Sequence, residues 1–311
     1  MIKKVILLMS FVGVAANAQV ITQNFGTGAN AFSIEFVEIG NPNNAADTSG
    51  SPNPVGSVSY IYNLGKYEVS RDMINKANLG GALSITLYDM TAYGGNGANK
   101  PATGISWNEA ATYVNWLNTS TGNSAAYKFD GSGNFVLWSP GDTGYNANNL
   151  YRNSLAKYFL PSVNEWYKGA YGSPSGTWYN YATGTDSVPT AVVSGISPYT
   201  AVYGGQVGPA DINDAGGLSS YGTMAQGGNV FEWTDSAYDG VNDTVDEFRE
   251  LRGGAWDGNS NLVATDRDVN NMQNTATRLR GFRIAMVPEP SALSLLAVGL
   301  GGMAMLRRCR S

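Results

Sequence analysis

The sequence predicts an α+β fold that is rich in loops, with small sheets and two main helices, and three observations support this. The chain has 39 glycines, 18 tyrosines and 7 tryptophans but only 14% charged residues, a composition that argues against disorder and for a loop-rich, β-containing protein. Two helical segments in the middle of the chain begin with a capping serine. Three short cassettes near the C-terminus each combine an aromatic residue, a glycine and a charge, which is typical of short strands that meet tight turns.

Charge and the scarcity of two residue types exclude several functions. The 311 residues carry a formal net charge of −5 and no histidine. An acidic chain is a poor partner for nucleic acid, so no nucleic-acid binding is expected. Without histidine, His-based metal sites and Ser-His-Asp triads are excluded. The one cysteine, Cys309, lies in a basic tail, so the body of the chain has neither a disulfide nor a zinc–thiolate site.

Residues 1–18 have the pattern of a secretory signal peptide. Lys3 and Lys4 precede an apolar run from residue 5 to residue 16, and Ala16-Asn17-Ala18 is a small-x-small cleavage sequence. A membrane anchor is the alternative interpretation, but the apolar run is short for a span. We therefore predict that the protein is exported.

The next part of the chain predicts one clear strand and little helix. Residues 19–58 form a strand-and-loop segment in which Phe32–Ile39 alternates apolar and polar residues, as a half-buried strand does. Residues 60–69 predict a strand pair or a kinked strand, and residues 71–76 predict a short helical turn.

Two capping boxes predict the two main helices. Ser106 is followed by Glu109, and Ser162 by Glu165. In each pair the serine can accept from the first turn while the glutamate reaches back to the serine amide. Between the helices, residues 127–129 and 135–138 are strand candidates. Residues 179–217 are predicted to be a long connector.

The three C-terminal cassettes contain the candidate site residues. They are Gly228–Thr234, Arg252–Trp256 and Arg280–Ala285. Aromatic side chains would fill a core, and buried charges would need partners. Glu232, Arg252 and Arg283 are therefore candidates for an internal ion-pair network. The acids at positions 235, 239, 243, 246 and 247 are interpreted as a solvated loop, since no spacing marks a glycosidase pair.

The C-terminal segment 288–311 resembles a membrane-associated tail. After Pro288 and Pro290, an apolar run of residues 291–306 precedes Arg307, Arg308 and Arg310. As a helix, the run would be about 24 Å long, which is marginal for a bilayer span. A permanent tail anchor is one interpretation of this segment. It is also similar to the PEP-CTERM sorting tail, and that resemblance implies processing by an exosortase in an envelope-bearing bacterium.

The cassettes resemble the end of the formylglycine-generating enzyme, or sulfatase-modifying-factor, family. GNVFEW, RGGAW and GFRIA stand in the order of that family's GNVWEW-, RGGSW- and GFR-like segments. The two capped helices are also similar to family segments, and the resemblance covers residues 59–287. It implies a variant of the C-type-lectin fold. An arginine before the second helix is replaced here by Phe159, which predicts the loss of one ion pair.

The resemblance also implies a copper site, which the sequence does not support. The family's two copper-binding cysteines would fall at about Gly258 and Val263. Neither residue can bind Cu(I), which needs soft thiolate or thioether ligands. We therefore expect no copper and no catalytic residue of the family's kind.

Calcium is the cofactor that the resemblance leaves open. It implies calcium ligands at Gly228, Val230 and Glu232, with a side-chain oxygen at position 225. Ala225 has no such oxygen, and calcium prefers 6–8 oxygen ligands, so the site would be weakened. The equal alternative is that Glu232 pairs with Arg252 or Arg283.

These expectations favour an exported, non-catalytic binding or structural module at the cell envelope or outside the cell. Its partners would be an exosortase-type protease, the membrane before processing, and a glycan or surface-protein ligand. The argument for glycans rests on aromatic residues in the loops that could stack on sugars, with burial in a core as an equal alternative: Trp138, Tyr145, Trp178 and Tyr179. An enzyme of the family with an altered active site is the alternative.

Overall fold

The computed structural model describes residues 20–260 and 269–288. The described chain is α+β, as predicted, with three helices and several small sheets. The helices are α1 (Arg71–Gly81), α2 (Trp107–Ser120) and α3 (Val163–Tyr171). The strands are β1 (Val20–Phe25), β2 (Phe32–Ile39), β3 (Tyr62–Gly65), β4 (Lys128–Phe129), β5 (Phe135–Val136), β6 (Tyr158–Phe159), β7 (Thr190–Ala191), β8 (Thr200–Ala201), β9 (Phe231–Ala237), β10 (Phe248–Arg252), β11 (Val269–Met272), β12 (Arg280–Gly281) and β13 (Ala285–Met286).

Two sheets organise the fold. The larger has five strands in the order β1-β2-β3-β13-β6, and the smaller has four in the order β11-β10-β9-β12. The larger sheet joins the two ends of the described chain, because Ala285 of β13 lies opposite Leu64 of β3 and Phe159 of β6. The last cassette therefore ends in a strand of the same sheet that contains the N-terminal strands.

The N-terminal segment belongs to this sheet. The predicted strand at Phe32–Ile39 is β2, and it pairs on one side with β3 and on the other with β1. β1 was not predicted, because its sequence, VITQNF, shows only a weak alternation and its order comes from pairing with β2. Phe25 is its one buried residue.

Both predicted capping boxes are present. Ser106 Oγ accepts from the Glu109 amide while Glu109 accepts from the Ser106 amide, and Ser162 and Glu165 make the same pair of bonds. Local sequence is sufficient here because all four groups lie within one turn.

The number of helices differs from the prediction. The expected short turn at residues 71–76 is a full 11-residue helix, α1. Ser70 caps it by accepting from the Met73 amide, Ile74 and Ala77 are buried, and Lys76 pairs with Asp72 at 2.7 Å. Tertiary packing extends the helix through Gly80 and Gly81, which on their own disfavour it.

Tryptophans connect α2 to the C-terminal strands. Trp107 at the start of α2 donates from Nε1 to the Thr234 carbonyl of β9 at 2.9 Å. Trp233 of β9 donates in return to the Ile105 carbonyl at 2.8 Å. Both rings are fully buried, so each satisfies its only polar atom while filling the core.

The remaining expectations have different outcomes. The strand candidates at residues 127–129 and 135–138 are confirmed as β4 and β5, and the long connector contains the parallel pair β7 and β8. Within residues 20–260 and 269–288, no helix is long and apolar enough to cross a membrane. The predicted signal peptide and the apolar and basic parts of the tail lie outside the described residues.

Candidate functional site

A fully buried ion pair between Arg283 and Glu232 lies at the centre of the cassettes. Arg283 Nε and Nη2 donate to Glu232 Oε2 and Oε1, each at 2.6 Å, so the guanidinium and carboxylate are paired through two parallel bonds. Both side chains are 0% exposed. This bidentate geometry gives a strong and directional pair.

The pair is held by further hydrogen bonds from several elements. Trp166 of α3 donates from Nε1 to Glu232 Oε2 at 2.6 Å. Arg283 also donates to the carbonyls of Gly65, at 2.8 Å, and Met224, at 2.7 Å. Arg283 thus ties β3 and the loop before β9 to the same carboxylate, which is how a buried charge is made tolerable.

A second buried carboxylate, Glu68, lies beside the pair. It accepts from Asn229 Nδ2 at 2.6 Å and from the Val230 amide at 3.3 Å. Burial, together with the nearby charge of Glu232, raises the pKa of Glu68 well above its usual value. The neutral acid is favoured because one arginine cannot balance two buried anions. The sequence signal for Glu68 was a lone acid between Tyr67 and Val69 at a strand end.

The Gly228–Val230 loop takes its shape from the backbone. Gly228 has φ +99, and a Cβ there would lie 2.4 Å from the Val202 carbonyl oxygen. Asn229, at φ 60, accepts from the Ala210 amide through Oδ1 and from the Trp256 amide through its carbonyl. Only glycine fits position 228, and Asn229 ties the first cassette to the second.

These contacts bear on the predicted calcium ligands Gly228, Val230 and Glu232. Both carboxylate oxygens of Glu232 already accept hydrogen bonds from Arg283, so the ion-pair alternative is present in the structure. Ala225 is buried and offers no side-chain oxygen. In the described part of the chain, no group of three or more His, Cys, Asp or Glu residues is arranged to hold a metal. Calcium at this loop remains a prediction.

Arg252, the other candidate partner of Glu232, points elsewhere. Its backbone lies opposite Glu232 in the β9–β10 pairing. Its guanidinium, however, packs against the rings of Trp166 and Tyr167, with centroids at 5.7 and 5.4 Å, and donates to the Ser51 carbonyl at 2.8 Å. The strand register places the backbones of Arg252 and Glu232 opposite each other, but the Arg252 side chain points away from the Glu232 carboxylate.

A second buried network was missed by the sequence. Arg152 binds Glu165 at 3.1 Å and Asp235 at 3.3 Å, and its guanidinium carbon lies 4.1 Å from the centre of the Phe159 ring. Arg152, from a preceding loop, thus makes its ion pairs beside Phe159, the position at which the resemblance predicts the loss of an arginine. No local pattern around Arg152 signals this role.

Asp235 corrects the interpretation of the acids after the first cassette. It is 0% exposed, not part of a solvated loop, because it lies within β9. Burial raises its pKa to about 6, with Arg152 opposing the rise and Glu165 adding to it. Asp239, Asp243 and Asp246 are exposed, as predicted.

The implied copper position lies at an open cavity. Gly258, Gly204 and Gly205 line a cavity of about 600 Å³ together with Phe231 and Leu279. The Gly204 amide donates to the Gly258 carbonyl at 2.7 Å, which fixes that wall. Gly258 provides no side chain, and Val263 lies outside the described residues, so the described part of this site does not fit a copper ion.

Charged and aromatic groups surround the same cavity. Asp257, in its lining, pairs with Arg278 at 3.3 Å, and both side chains are about one-third exposed. The Arg278 guanidinium lies 4.9 Å from the Tyr93 ring. The arrangement offers a carboxylate, a cation and apolar walls to a ligand, which are elements of a binding surface.

The four aromatic residues proposed to stack on sugars are all partly buried. Trp138 donates from Nε1 to the Ala126 carbonyl at 3.1 Å, and Trp178 packs on Tyr167 with ring centres 5.5 Å apart. Both rings therefore have structural roles in addition to their exposed edges.

Comparison with known proteins identifies the family. The model of the sulfatase-modifying factor enzyme 1-like domain matches residues 40–287. No curated protein matches the chain significantly. The family match begins before residue 59, in the segment that forms one sheet with the rest of the chain.

Solved structures share the fold at low sequence identity. Treponema denticola variable protein 1 is 20% identical, with a TM-score of 0.61 over 86% of this chain and 99% of that one. CarF is 17% identical, with a TM-score of 0.58 over 82% and 99%. PvdO from Pseudomonas aeruginosa is 15% identical, with a TM-score of 0.55 over 86% and 98%. The predicted C-type-lectin-like variant is confirmed by these likenesses, which concern the fold alone.

Proposed function

Because the chain belongs to the sulfatase-modifying factor enzyme 1-like domain family, we propose that it is a non-catalytic member that binds a ligand at the bacterial cell envelope. One observation carries this proposal: an open cavity lies where the copper site is implied, and its wall at Gly258 has no thiol. The scaffold around it is intact, since Arg283 and Glu232 are fully paired.

Copper chemistry is not supported by the residues of this chain. Cu(I) requires thiolate or thioether ligands, and the only cysteine of the sequence is Cys309 in the tail. Met224 and Met286 are buried in the packing, and Met272 lies on the edge strand β11. We therefore derive no step of oxidation through copper.

The cavity supports binding instead. It is wide open to solvent, with Phe231, Asp257 and Leu279 in its lining, so a ligand would lie along the surface and would not be enclosed. Its walls come from loops on a rigid core, an arrangement that lets a fold present variable surfaces. A glycan or a surface protein is the ligand class that we propose, with Asp257 and Phe231 providing polar and apolar contacts.

Export and sorting complete the proposal. The pattern of residues 1–18 supports secretion, and the tail at 288–311 supports transient membrane attachment followed by exosortase-type processing. Calcium at Gly228, Val230 and Glu232 would have to displace Arg283 from the carboxylate. Calorimetric titration of the full chain with calcium tests it, and heat of binding that Glu232→Gln abolishes would support the metal.

A binding comparison tests the proposed function. We expect the full-length protein, purified in mild detergent, to bind members of a glycan array or a panel of envelope proteins. Asp257→Lys, which reverses the charge in the cavity, should abolish this binding. Asp246→Lys, at an exposed acid outside the cavity lining, should leave it unchanged.

The enzyme alternative has a separate test. A cysteine-containing sulfatase peptide is incubated with the protein, copper and oxygen, and aldehyde formation is followed by mass spectrometry. We expect no turnover. Aldehyde formed at a rate that depends on the protein would overturn the non-catalytic assignment, whatever the binding comparison shows.

A further inference from the structure

Strand β1 forms one edge of the five-stranded sheet. The strand order β1-β2-β3-β13-β6 places β1 at one end and the two-residue β6 at the other. β1 has six residues, and all six pair with β2 in one unbroken register. In an antiparallel pair, about half of the backbone N–H and C=O groups point towards the neighbouring strand, and the rest point away from it. The outward groups of β1 therefore form a row of donors and acceptors along the edge.

No backbone group of the described chain occupies this row. Beyond its ladder with β2, no residue of Val20–Phe25 makes a backbone hydrogen bond to another described residue. The side chains of the strand bond within the same sheet: Gln23 accepts from Tyr158 at 3.1 Å, and Asn24 accepts from Ser33 at 2.7 Å. These contacts leave the outer edge of β1 open.

The sequence of β1 has none of the features that usually protect an exposed edge. Natural edge strands carry charges, a proline or a bulge, or they are very short. The sequence of this strand, VITQNF, has no charge and no proline, and no charged residue lies between positions 19 and 34. Val20, Thr22 and Asn24 are exposed. An uncharged edge of this length, with β-branched and aromatic residues, is a template for the addition of another strand.

We propose that β1 pairs antiparallel with β1 of a second copy of this chain, so that the two larger sheets become one continuous sheet. A two-fold axis makes each edge the complement of the other, because outward donors of one copy meet outward acceptors of its partner. Keeping the exposed faces of both copies on the same side places either Thr22 or Gln23 opposite itself. An uncharged strand meets no like charge in this arrangement.

A second copy fits this edge better than the residues that precede β1. The secretory pattern of residues 1–18 predicts cleavage after Ala18, which would leave Gln19 alone in front of the strand. One residue is too short to fold back along the edge. This step rests on the export that we propose above. A two-fold interface also uses the edge completely and leaves no free strand at which further copies could add.

Hydrogen–deuterium exchange of the full-length chain, purified in mild detergent, tests the proposal. We expect the amides of Val20–Phe25 to exchange more slowly as the protein concentration rises, because the outward N–H groups become hydrogen-bonded in the dimer. The amides of β7, which is also exposed, should show no such dependence. Sedimentation velocity of the same samples should show dimers in parallel. Intact mass reports separately whether residues 1–18 are removed, so a failure of export is distinguished from a failure of pairing.

A charge at the edge provides the matched comparison. Thr22→Lys places two like charges close together across the two-fold axis and should weaken association roughly fivefold. The melting temperature of the monomer should not change, because Thr22 is exposed. Thr190→Lys, the same change at an exposed residue of β7, should leave the dimer intact.

Three results would overturn the proposal without any variant. They are a chain that stays monomeric at every concentration, a dimer that forms without slower exchange in β1, and slow exchange in β1 that does not depend on concentration. The last would show that another segment already covers the edge. Equal weakening of the dimer by Thr22→Lys and Thr190→Lys would overturn it as well.

Discussion

Arg283 and Arg152 both bind buried carboxylates, but the two networks differ in how completely they are satisfied. Arg283 is 0% exposed, and Glu232 accepts from it through both oxygens. The side chain of Arg152 is 16% exposed, and Asp235, although 3.3 Å from Arg152 Nε, accepts no hydrogen bond from the described residues. The first network therefore fixes geometry, whereas the second holds a charge whose protonation depends on pH.

The largest loss of stability should come from removing Arg283 from its pair with Glu232. Arg283→Met leaves Glu232 buried without its counter-ion, which costs about 3–5 kcal/mol of unfolding free energy. Urea denaturation of the full chain measures the change. Arg278→Met is the control, because its partly exposed pair with Asp257 should be worth no more than about 1 kcal/mol. Equal costs for the two variants would contradict the central role of Arg283.

The network of Arg152, Glu165 and Asp235 predicts that the free energy of unfolding depends on pH. Burial raises the pKa of Asp235 from its ordinary value of 3.8 to about 6, so its contribution to stability is complete below about pH 4. It is lost as pH rises through about 6. Asp235→Asn removes this loss and should gain, relative to wild type, on the order of 3 kcal/mol between pH 4 and pH 7.

Chemical denaturation at both pH values provides this measurement. Asp246→Asn serves as the control, since Asp246 is exposed and should show no such pH-dependent difference. If Asp235→Asn parallels the wild-type protein across the range, the aspartate is not the titrating group.

The Gly228–Val230 loop provides a test of backbone shape and not of charge. Gly228→Ala combines φ +99 with a contact of 2.4 Å to the Val202 carbonyl oxygen, and should cost about 2–3 kcal/mol. Gly240→Ala has a similar φ of +84 but open space around the new Cβ, so it should cost about 1 kcal/mol. Thermal unfolding compares them, and a smaller cost at Gly228 would contradict the close approach.

The smallest effects should come from the capping serines. Ser106→Ala should cost about 1 kcal/mol, as an N-cap usually does. Ser162→Ala should cost more, because the Glu165 that it orients also binds Arg152 at 3.1 Å. Denaturation of the two variants side by side measures the difference, and equal values would show that the cap and the network are independent.

Local signals predicted part of this structure well. The capping boxes of α2 and α3 are confirmed because serine and glutamate three residues apart are sufficient for them. The Glu232 network was a candidate because an acid between two aromatics in a short strand needs a partner. Choosing Arg283 over Arg252 required side-chain direction, which the sequence does not give.

Long-range contacts could not be predicted. Strand β1 is ordered by pairing with β2, and the length of α1 depends on packing beyond its own residues. Arg152 comes from a loop and pairs with Glu165, which is 13 residues later in the chain, and with Asp235, which is 83 residues later. None of these is marked by periodicity or by a motif, so tertiary structure was needed to find them.

We propose that this chain keeps the fold of its family without the copper chemistry that the resemblance implies. Copper stoichiometry of the folded, full-length protein, measured by plasma mass spectrometry after equilibration with Cu(I), tests this most directly. We expect copper at background level, equal in the wild-type protein and in Cys309→Ser. One copper per chain that survives in Cys309→Ser would contradict it.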